Sequence, residues 1–93
     1  MIITTKQRLF VGYDYPRKEN CNGRIYLDNE HFGNFFQQND KDLTTNFADF
    51  YQKWFFNRDT KALRMGLPAI QMQDSLDDII NLIVDWLEKE SIS

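Results

Sequence analysis

The chain has 93 residues, of which 42% are hydrophobic and 15% aromatic, and its formal net charge at pH 7 is −3. This length suits one domain and is too short for two independent cores. A chain with so much apolar content and so small a net charge does not have the composition of an intrinsically disordered protein. We therefore predict a single domain spanning residues 1–93.

The cysteine content and the N-terminal residues predict a reduced, soluble, cytoplasmic protein. Cys21 is the only cysteine, which excludes an internal disulfide. Residues 1–6 lack the basic stretch and the long apolar run of a secretory signal. No apolar stretch approaches the roughly 20 residues that a helix needs to span a bilayer.

Charge is distributed unevenly along the chain. Residues 1–24 carry five basic and two acidic side chains, a balance of +3. Residues 74–90 carry six acidic side chains and one lysine, a balance of −5. An acidic segment repels phosphate backbones and attracts basic surfaces. The C-terminal segment therefore favours a basic partner over nucleic acid.

Alternating hydrophobicity predicts a β-hairpin near the N-terminus. In a strand over residues 7–13, Leu9 and Val11 lie on one face and Phe10 lies on the other. Residues 14–23 contain a proline, several charges and an Asn-Gly pair, a composition typical of a loop. A second strand over residues 24–28 completes the expected hairpin.

Helical periodicity then predicts two helices in the middle of the chain. Three phenylalanines spaced i, i+3 and i+4 indicate a helix over residues 29–38, with Asp28 or Asn29 as its N-cap. A longer apolar stripe indicates a second helix over residues 43–57.

The C-terminal segment predicts a third helix, over residues 75–90. Asp74 or Ser75 is a suitable N-cap, and Asp77 and Asp78 complement the positive end of the helix dipole. A short alternating segment, residues 69–73, is expected to add a strand to the hairpin. The predicted fold class is α+β, with a small antiparallel sheet packed against about three helices.

The sequence contains no motif typical of catalysis or nucleotide binding. A single histidine excludes paired-histidine metal sites and zinc held by cysteine and histidine within one chain. A small thiol enzyme would need Cys21 beside His31, and a lone cysteine and a lone histidine occur together in most chains. Asp28 and Glu30, next to His31, are explained as favourable charges at a helix start. We predict no catalytic residue, no cofactor and no metal.

Aromatic residues exceed what one packed helix face needs. Three consecutive rings, Trp54 to Phe56, would point about 100° apart on a helix, so they span more than one face. Exposed apolar surface on a small protein typically marks an interface. Together with the C-terminal acids, these rings give the candidate partner-binding residues: Trp54, Phe56, Asp77, Asp78, Asp85, Trp86 and Glu88.

Small acidic domains without catalytic motifs are typical of immunity and antitoxin proteins. The leading hypothesis is therefore an inhibitor that occludes the active site of a basic toxin or nuclease. A second acidic set, Asp40, Asp42, Asp49 and Asp59, remains open as the contact surface. The first alternative is a homodimeric structural or regulatory domain that associates through the second or last helix. The third hypothesis is nucleic-acid binding by the N-terminal hairpin, through Arg17, Lys18 and Arg24 with Tyr13, Tyr15 and Tyr26.

Overall fold

A computed structural model describes residues 4–16, 21–38 and 52–92 of the chain. Four strands form one antiparallel sheet in chain order: β1 (Leu9–Pro16), β2 (Cys21–Leu27), β3 (Glu30–Gln37) and β4 (Trp54–Arg58). A 3₁₀ turn, Lys6–Arg8, precedes β1. Two helices follow β4, namely α1 (Thr60–Met65) and α2 (Leu76–Ile92). The α+β class is confirmed, but the described residues contain two α-helices where about three were predicted.

The predicted N-terminal hairpin is confirmed by the pairing of β1 with β2. Leu9 lies opposite Leu27 and Val11 opposite Ile25. Ile25 and Leu27 are fully buried, whereas Phe10 is 63% exposed on the other face. The alternation of the sequence therefore assigned the inner and outer faces of this hairpin correctly.

The helix predicted over residues 29–38 is wrong, because this segment is strand β3. Asp28 and Asn29 have φ values of 52° and 70° and form the tight turn between β2 and β3. Aspartate and asparagine tolerate left-handed backbone and are also good helix N-caps. A two-residue turn with both central residues in this region matches the twist of paired strands.

A β-bulge explains why the phenylalanines of β3 have helical spacing. The register shifts between Ile25 and Tyr26, which leaves Phe32 as an extra residue on β3. Phe32 and Phe35 are both buried, and Phe36 lies on the opposite face from Phe35. The i, i+3, i+4 pattern therefore arises from a strand with one inserted residue.

The helix predicted over residues 43–57 is wrong at its C-terminal end, since Trp54–Arg58 is strand β4. The remainder of that prediction, residues 43–51, lies outside the described residues. In a strand, consecutive side chains alternate between faces. Phe56 is accordingly buried in the core, and Phe55 stacks on Phe36 on the opposite face, with ring centroids 5.0 Å apart.

The strand predicted over residues 69–73 is reduced to one bridge. The N–H groups of Gln73 and Trp54 each donate to the other's carbonyl oxygen, at 2.9 and 2.8 Å. This bridge lies beside β4, at the edge of the sheet away from the hairpin, so the prediction that the segment extends the hairpin is wrong. Helix α1 was not predicted, and it ends at Gly66, whose φ of 85° is left-handed.

The predicted C-terminal helix is confirmed as α2. The Asp78 N–H donates to Ser75 Oγ at 3.1 Å, so Ser75 is the N-cap. The inner side of α2 packs on one face of the sheet and completes a single hydrophobic cluster. Its buried members are Ile25, Leu27, Phe32, Phe35, Phe56, Ala62, Leu67, Leu76, Ile79, Ile80, Ile83 and Leu87.

Gly23 lies where two strands and a ring approach most closely. A Cβ at this position would overlap the carbonyl oxygen of Gly12 and lie 2.8 Å from Cζ of Phe35. Phe35 is the cross-strand partner of Gly23, so its ring packs over the glycine backbone. Only glycine fits here without a backbone shift.

We predict that Gly23→Ala destabilises the protein by about 1–3 kcal/mol, because the added methyl group meets backbone atoms that cannot move away. The matched control is Gly12→Ala, whose Cβ would meet Phe10 at an ordinary 3.6 Å. The control should change stability by less than about 0.5 kcal/mol. Urea unfolding followed by circular dichroism measures both. Equal losses in the two variants would contradict the close packing at Gly23.

Candidate partner-binding surfaces

The outer side of α2 carries four exposed acidic residues, which we call the acidic face: Asp77, Asp78, Asp85 and Glu88. At 100° per residue, these positions fall within an arc of about 100° around the helix. The arc lies opposite the stripe of buried residues centred on Ile83. The four predicted acidic site residues are therefore brought together on one surface.

Acidic residues elsewhere in the described part of the chain are paired. Each of the five outside α2 has a basic side chain or an imidazole as partner. The pairs are Arg8–Asp28 at 2.7 Å, Arg24–Asp14 at 3.5 Å, His31–Asp59 at 2.9 Å, Lys61–Glu30 at 3.4 Å, and Lys53–Asp74. The described acidic charges outside α2 are thus compensated locally.

Three carboxylates of the acidic face are different in this respect. Asp77, Asp78 and Asp85 form no ion pair with any residue that the structure describes. Helix α2 as a whole has five acidic residues and one lysine. The surplus negative charge of the described residues is therefore concentrated on one side of one helix, where it is exposed to solvent and can act on an approaching partner.

The three aromatic residues predicted to anchor a partner lie on or in the core. Phe56 is 6% exposed and belongs to the buried cluster. Trp54 and Trp86 are half-buried and pack against that cluster, with the Trp54 ring 6.0 Å from the ring of Phe35. The structure therefore does not place them outward beside the acidic carboxylates. Leu82, 43% exposed on α2, is the large apolar side chain that accompanies the acidic face.

The sheet face opposite α2 carries aromatic residues of which only Tyr26 was a candidate binding residue from the sequence. We call this surface the open face. Phe10 and Tyr26 lie at one end of it, with ring centroids 6.1 Å apart, and the stacked pair of Phe36 and Phe55 lies at the other. Phe10 was identifiable from its alternation with Leu9 and Val11. Phe36 and Phe55 were not, because their segments read as helices.

An apolar groove adjoins the open face at the β4 edge. Its volume is about 780 Å³, and its apolar lining includes Phe36, Phe55, Leu63, Ile70 and Met72. Leu63 is 54% exposed and Met72 is 38% exposed. The groove is shaped by α1 and the segment after it, neither of which was predicted to have this position.

The strand register separates Cys21 from His31. Asn22 lies opposite Phe36, at one end of β3, and His31 lies opposite Tyr26, at the other. Cys21 and Tyr26 are five residues apart on β2, so the hairpin keeps Cys21 about 17 Å along the strand from His31. The two residues cannot act as nucleophile and base in this arrangement.

Both ring nitrogens of His31 already have partners. Nδ1 lies 2.9 Å from Asp59 Oδ2, and Nε2 lies 2.8 Å from Asn34 Oδ1. Asp28 and Glu30 do not converge on the ring, since they pair with Arg8 and Lys61. Among the residues that the structure describes, no group of three potential metal ligands comes together.

Asp28 instead connects the start of β1 to the turn after β2. Arg8 Nε donates to Asp28 Oδ1 at 3.0 Å, and the second Arg8 nitrogen donates to Oδ2 at 2.7 Å. This hydrogen bonding lowers the pKa of Asp28 below its ordinary value. The interaction is a bidentate pair that joins the two ends of the hairpin strands.

The predicted nucleic-acid surface on the hairpin is only partly described. Arg17 and Lys18 lie outside the described residues. Arg24 is exposed, but its charge is opposed by Asp14 at 3.5 Å. The Tyr26 ring lies between Phe10 and His31, with centroids 6.1 and 5.8 Å away. Such rings can stack with a base, yet the described residues around them carry balanced charge.

A scan against protein-family models found no match, and searches of curated proteins and of solved structures likewise found no similar protein. In the part of the chain that the structure describes, no helix has both the length and the apolar character needed to cross a membrane. The case for a function therefore depends on the surfaces described above.

We predict that Asp28→Asn lowers stability at pH 7 by less than about 1 kcal/mol, since the pair with Arg8 is solvent-exposed. Asparagine retains the tolerance for left-handed backbone that this turn requires. Because the pKa of Asp28 is depressed in the folded state, its stabilisation is present above the ordinary carboxyl pKa of 3.8 and disappears as the pH falls through the lower native value.

Urea unfolding of the wild type and Asp28→Asn between pH 7 and pH 2 measures this difference. We expect the two unfolding curves to converge in the most acidic samples. A gap that persists undiminished at pH 2 would show that the carboxylate charge is not its source.

Proposed function

We propose that this protein binds a basic protein partner and neutralises it, in the manner of an immunity or antitoxin protein that covers the active site of a nuclease or another basic toxin. The observation that carries this proposal is the acidic face of α2. Its carboxylates project from a rigid helix and are exposed, while acidic residues elsewhere in the described chain are paired with basic groups.

Rigid presentation matters for such a role. The carboxylates need no loop rearrangement to meet a partner, because α2 is held against the sheet by Ile79, Ile83 and Leu87, all buried. An enzyme that acts on nucleic acid keeps a basic site for the phosphates. A row of fixed carboxylates can occupy that site and exclude the substrate.

The acidic face also accelerates the encounter. Three of its carboxylates, those of Asp77, Asp78 and Asp85, form no ion pair with a described residue. Charge of this kind steers a partner of the opposite sign, and steering raises association rates by about 10- to 1,000-fold at low ionic strength. An apolar contact beside the face, at Leu82, would then slow dissociation. In this scheme Trp54 and Phe56 support the fold, and the contact is made by α2.

The partner is to be captured on the immobilised protein from a lysate of the source organism at low salt and identified by mass spectrometry. The purified partner is then assayed alone and with one equivalent of this protein. We expect a basic protein whose activity falls in proportion to the protein added. Capture of acidic proteins only, or undiminished partner activity in the complex, would contradict the proposal.

We predict that Asp85→Lys with Glu88→Lys weakens binding to the captured partner about tenfold or more and mainly slows association. These positions are in the second half of α2, where lysines suit the helix dipole, so the fold should be retained. Asp77→Lys with Asp78→Lys should weaken binding similarly but also lower stability. Surface plasmon resonance gives both rate constants.

The matched control is Glu30→Lys with Asp59→Lys, which changes the net charge by the same amount on the sheet side of the molecule. It should alter affinity by less than about threefold in 0.15 M salt, where charges beyond about 8 Å are screened. If both double variants weaken binding equally, net charge and not the acidic face is responsible. If neither double variant weakens binding, and the affinity does not change as salt is added, the electrostatic mechanism is wrong.

A further inference from the structure

Among the residues that the structure describes, strand β1 forms one edge of the sheet, with β2 on its other side. The Asp28 N–H donates to the Arg8 carbonyl oxygen at 3.0 Å, and the register continues without a shift through Gly12. In an antiparallel ladder the backbone groups of alternate residues face the same neighbour. Those of Arg8, Phe10 and Gly12 therefore face β2, and those of Leu9 and Val11 point away from it.

The length of this edge is limited at both ends. The 3₁₀ turn Lys6–Arg8 ends immediately before β1, so regular pairing cannot begin earlier. A register shift between Tyr13 and Tyr15, followed by Pro16, disturbs the other end. Bulges and prolines are typical devices that restrict pairing along an edge strand. The regular window is therefore Leu9 to Tyr13, and its centre is Val11. Arg8, the last residue of the 3₁₀ turn, and Asp14, the bulged residue, flank this window.

We propose that a second copy of this chain pairs with β1 through this window, antiparallel and with a two-fold axis at Val11, so that the two sheets become continuous. In that register Arg8 lies opposite Asp14 of the second copy, and Asp14 lies opposite its Arg8. Opposite charges facing each other across antiparallel strands stabilise the pairing. The proposal is independent of the binding by α2.

Neighbouring registers are less suitable. The alternation of outward backbone groups permits shifts only in steps that keep Leu9 and Val11 hydrogen-bonded. A shift by one such step in one direction places residues of the 3₁₀ turn in the ladder. A shift in the other direction places Arg8 opposite Pro16 of the second copy, which lies beyond the bulge. Only the register centred on Val11 uses the whole window and places Arg8 opposite Asp14.

The side chains on the open face also fit this register. Phe10 is 63% exposed, and it would lie opposite Gly12 of the second copy. A ring packed over the glycine of a neighbouring strand already occurs in this sheet, where Phe35 covers Gly23. A Cβ at Gly12 would meet the rings of Phe10 and Tyr26 of its own chain at 3.6 and 3.9 Å, so the incoming Phe10 would join an aromatic cluster beside this glycine.

The existing ion pairs would be extended and not broken. The Arg8 and Asp14 side chains are 39% and 42% exposed while paired with Asp28 and Arg24. With a second copy in place, four side chains of alternating charge lie in a row across the two paired β1 strands. Asp28 and Arg8 come from one chain, and Asp14 and Arg24 come from the other. Each charge in that row has neighbours of opposite sign.

Sedimentation velocity over a concentration series tests the association. We expect the wild type to form a dimer that Val11→Pro weakens at least tenfold, because proline removes an outward N–H that the second copy needs. Edge strands tolerate proline where the N–H does not bond within the sheet. A wild type that is monomeric throughout, or a Val11→Pro dimer as tight as the wild type, would overturn the proposal.

Disulfide trapping tests the register without depending on the proline variant. In a Cys21→Ser background, Val11→Cys should give a covalent dimer on oxidation, because paired Cα atoms about 5.5 Å apart suit a disulfide. Leu9→Cys is the matched control, since the two Leu9 positions would lie about 13 Å apart along the strands. Equal trapping in both variants, or none at Val11→Cys, would reject the register.

Discussion

One-sided packing of the sheet is the constraint on which the rest of this structure depends. A single long helix follows the sheet, and its inner stripe covers one face with Leu76, Ile79, Ile83 and Leu87. Burial of that apolar surface is the main stabilising term available to a domain this small. It holds α2 in one orientation, so its carboxylates face solvent, and on the other sheet face Phe10 remains 63% exposed.

Two separate surfaces result from this packing. The acidic face of α2 suits a partner of opposite sign, because Asp77, Asp78 and Asp85 form no ion pair with a described residue. The acidic residues around the open face are paired within the sheet. Edge β1 belongs to neither surface: its outward backbone groups suit another strand. A dimer joined at β1 would present two acidic faces, which raises apparent affinity wherever a partner offers two basic sites.

The parts of the fold that sequence reasoning predicted are those with a strong local signal. The hairpin strands alternate cleanly around Leu9 and Val11, and α2 combines a capping serine with a full apolar stripe. The segment of strand β3 was predicted as a helix for two reasons. Asp28 and Asn29 suit a left-handed turn as well as a helix cap, and the bulge at Phe32 gives the phenylalanines helical spacing. The segment of strand β4 was also predicted as a helix, because three consecutive aromatic residues do not distinguish helical from strand periodicity.

The sequence by itself determined the α+β class, the surplus of acid on the last helix and the absence of a histidine pair. Each of these depends on residue identity or on local periodicity alone. Only the tertiary structure decided that Phe56 is core and Phe55 surface, that Cys21 and His31 lie at opposite ends of the strands, and that the described acids outside α2 are paired. Such features depend on strand register, and pairing between distant segments sets it.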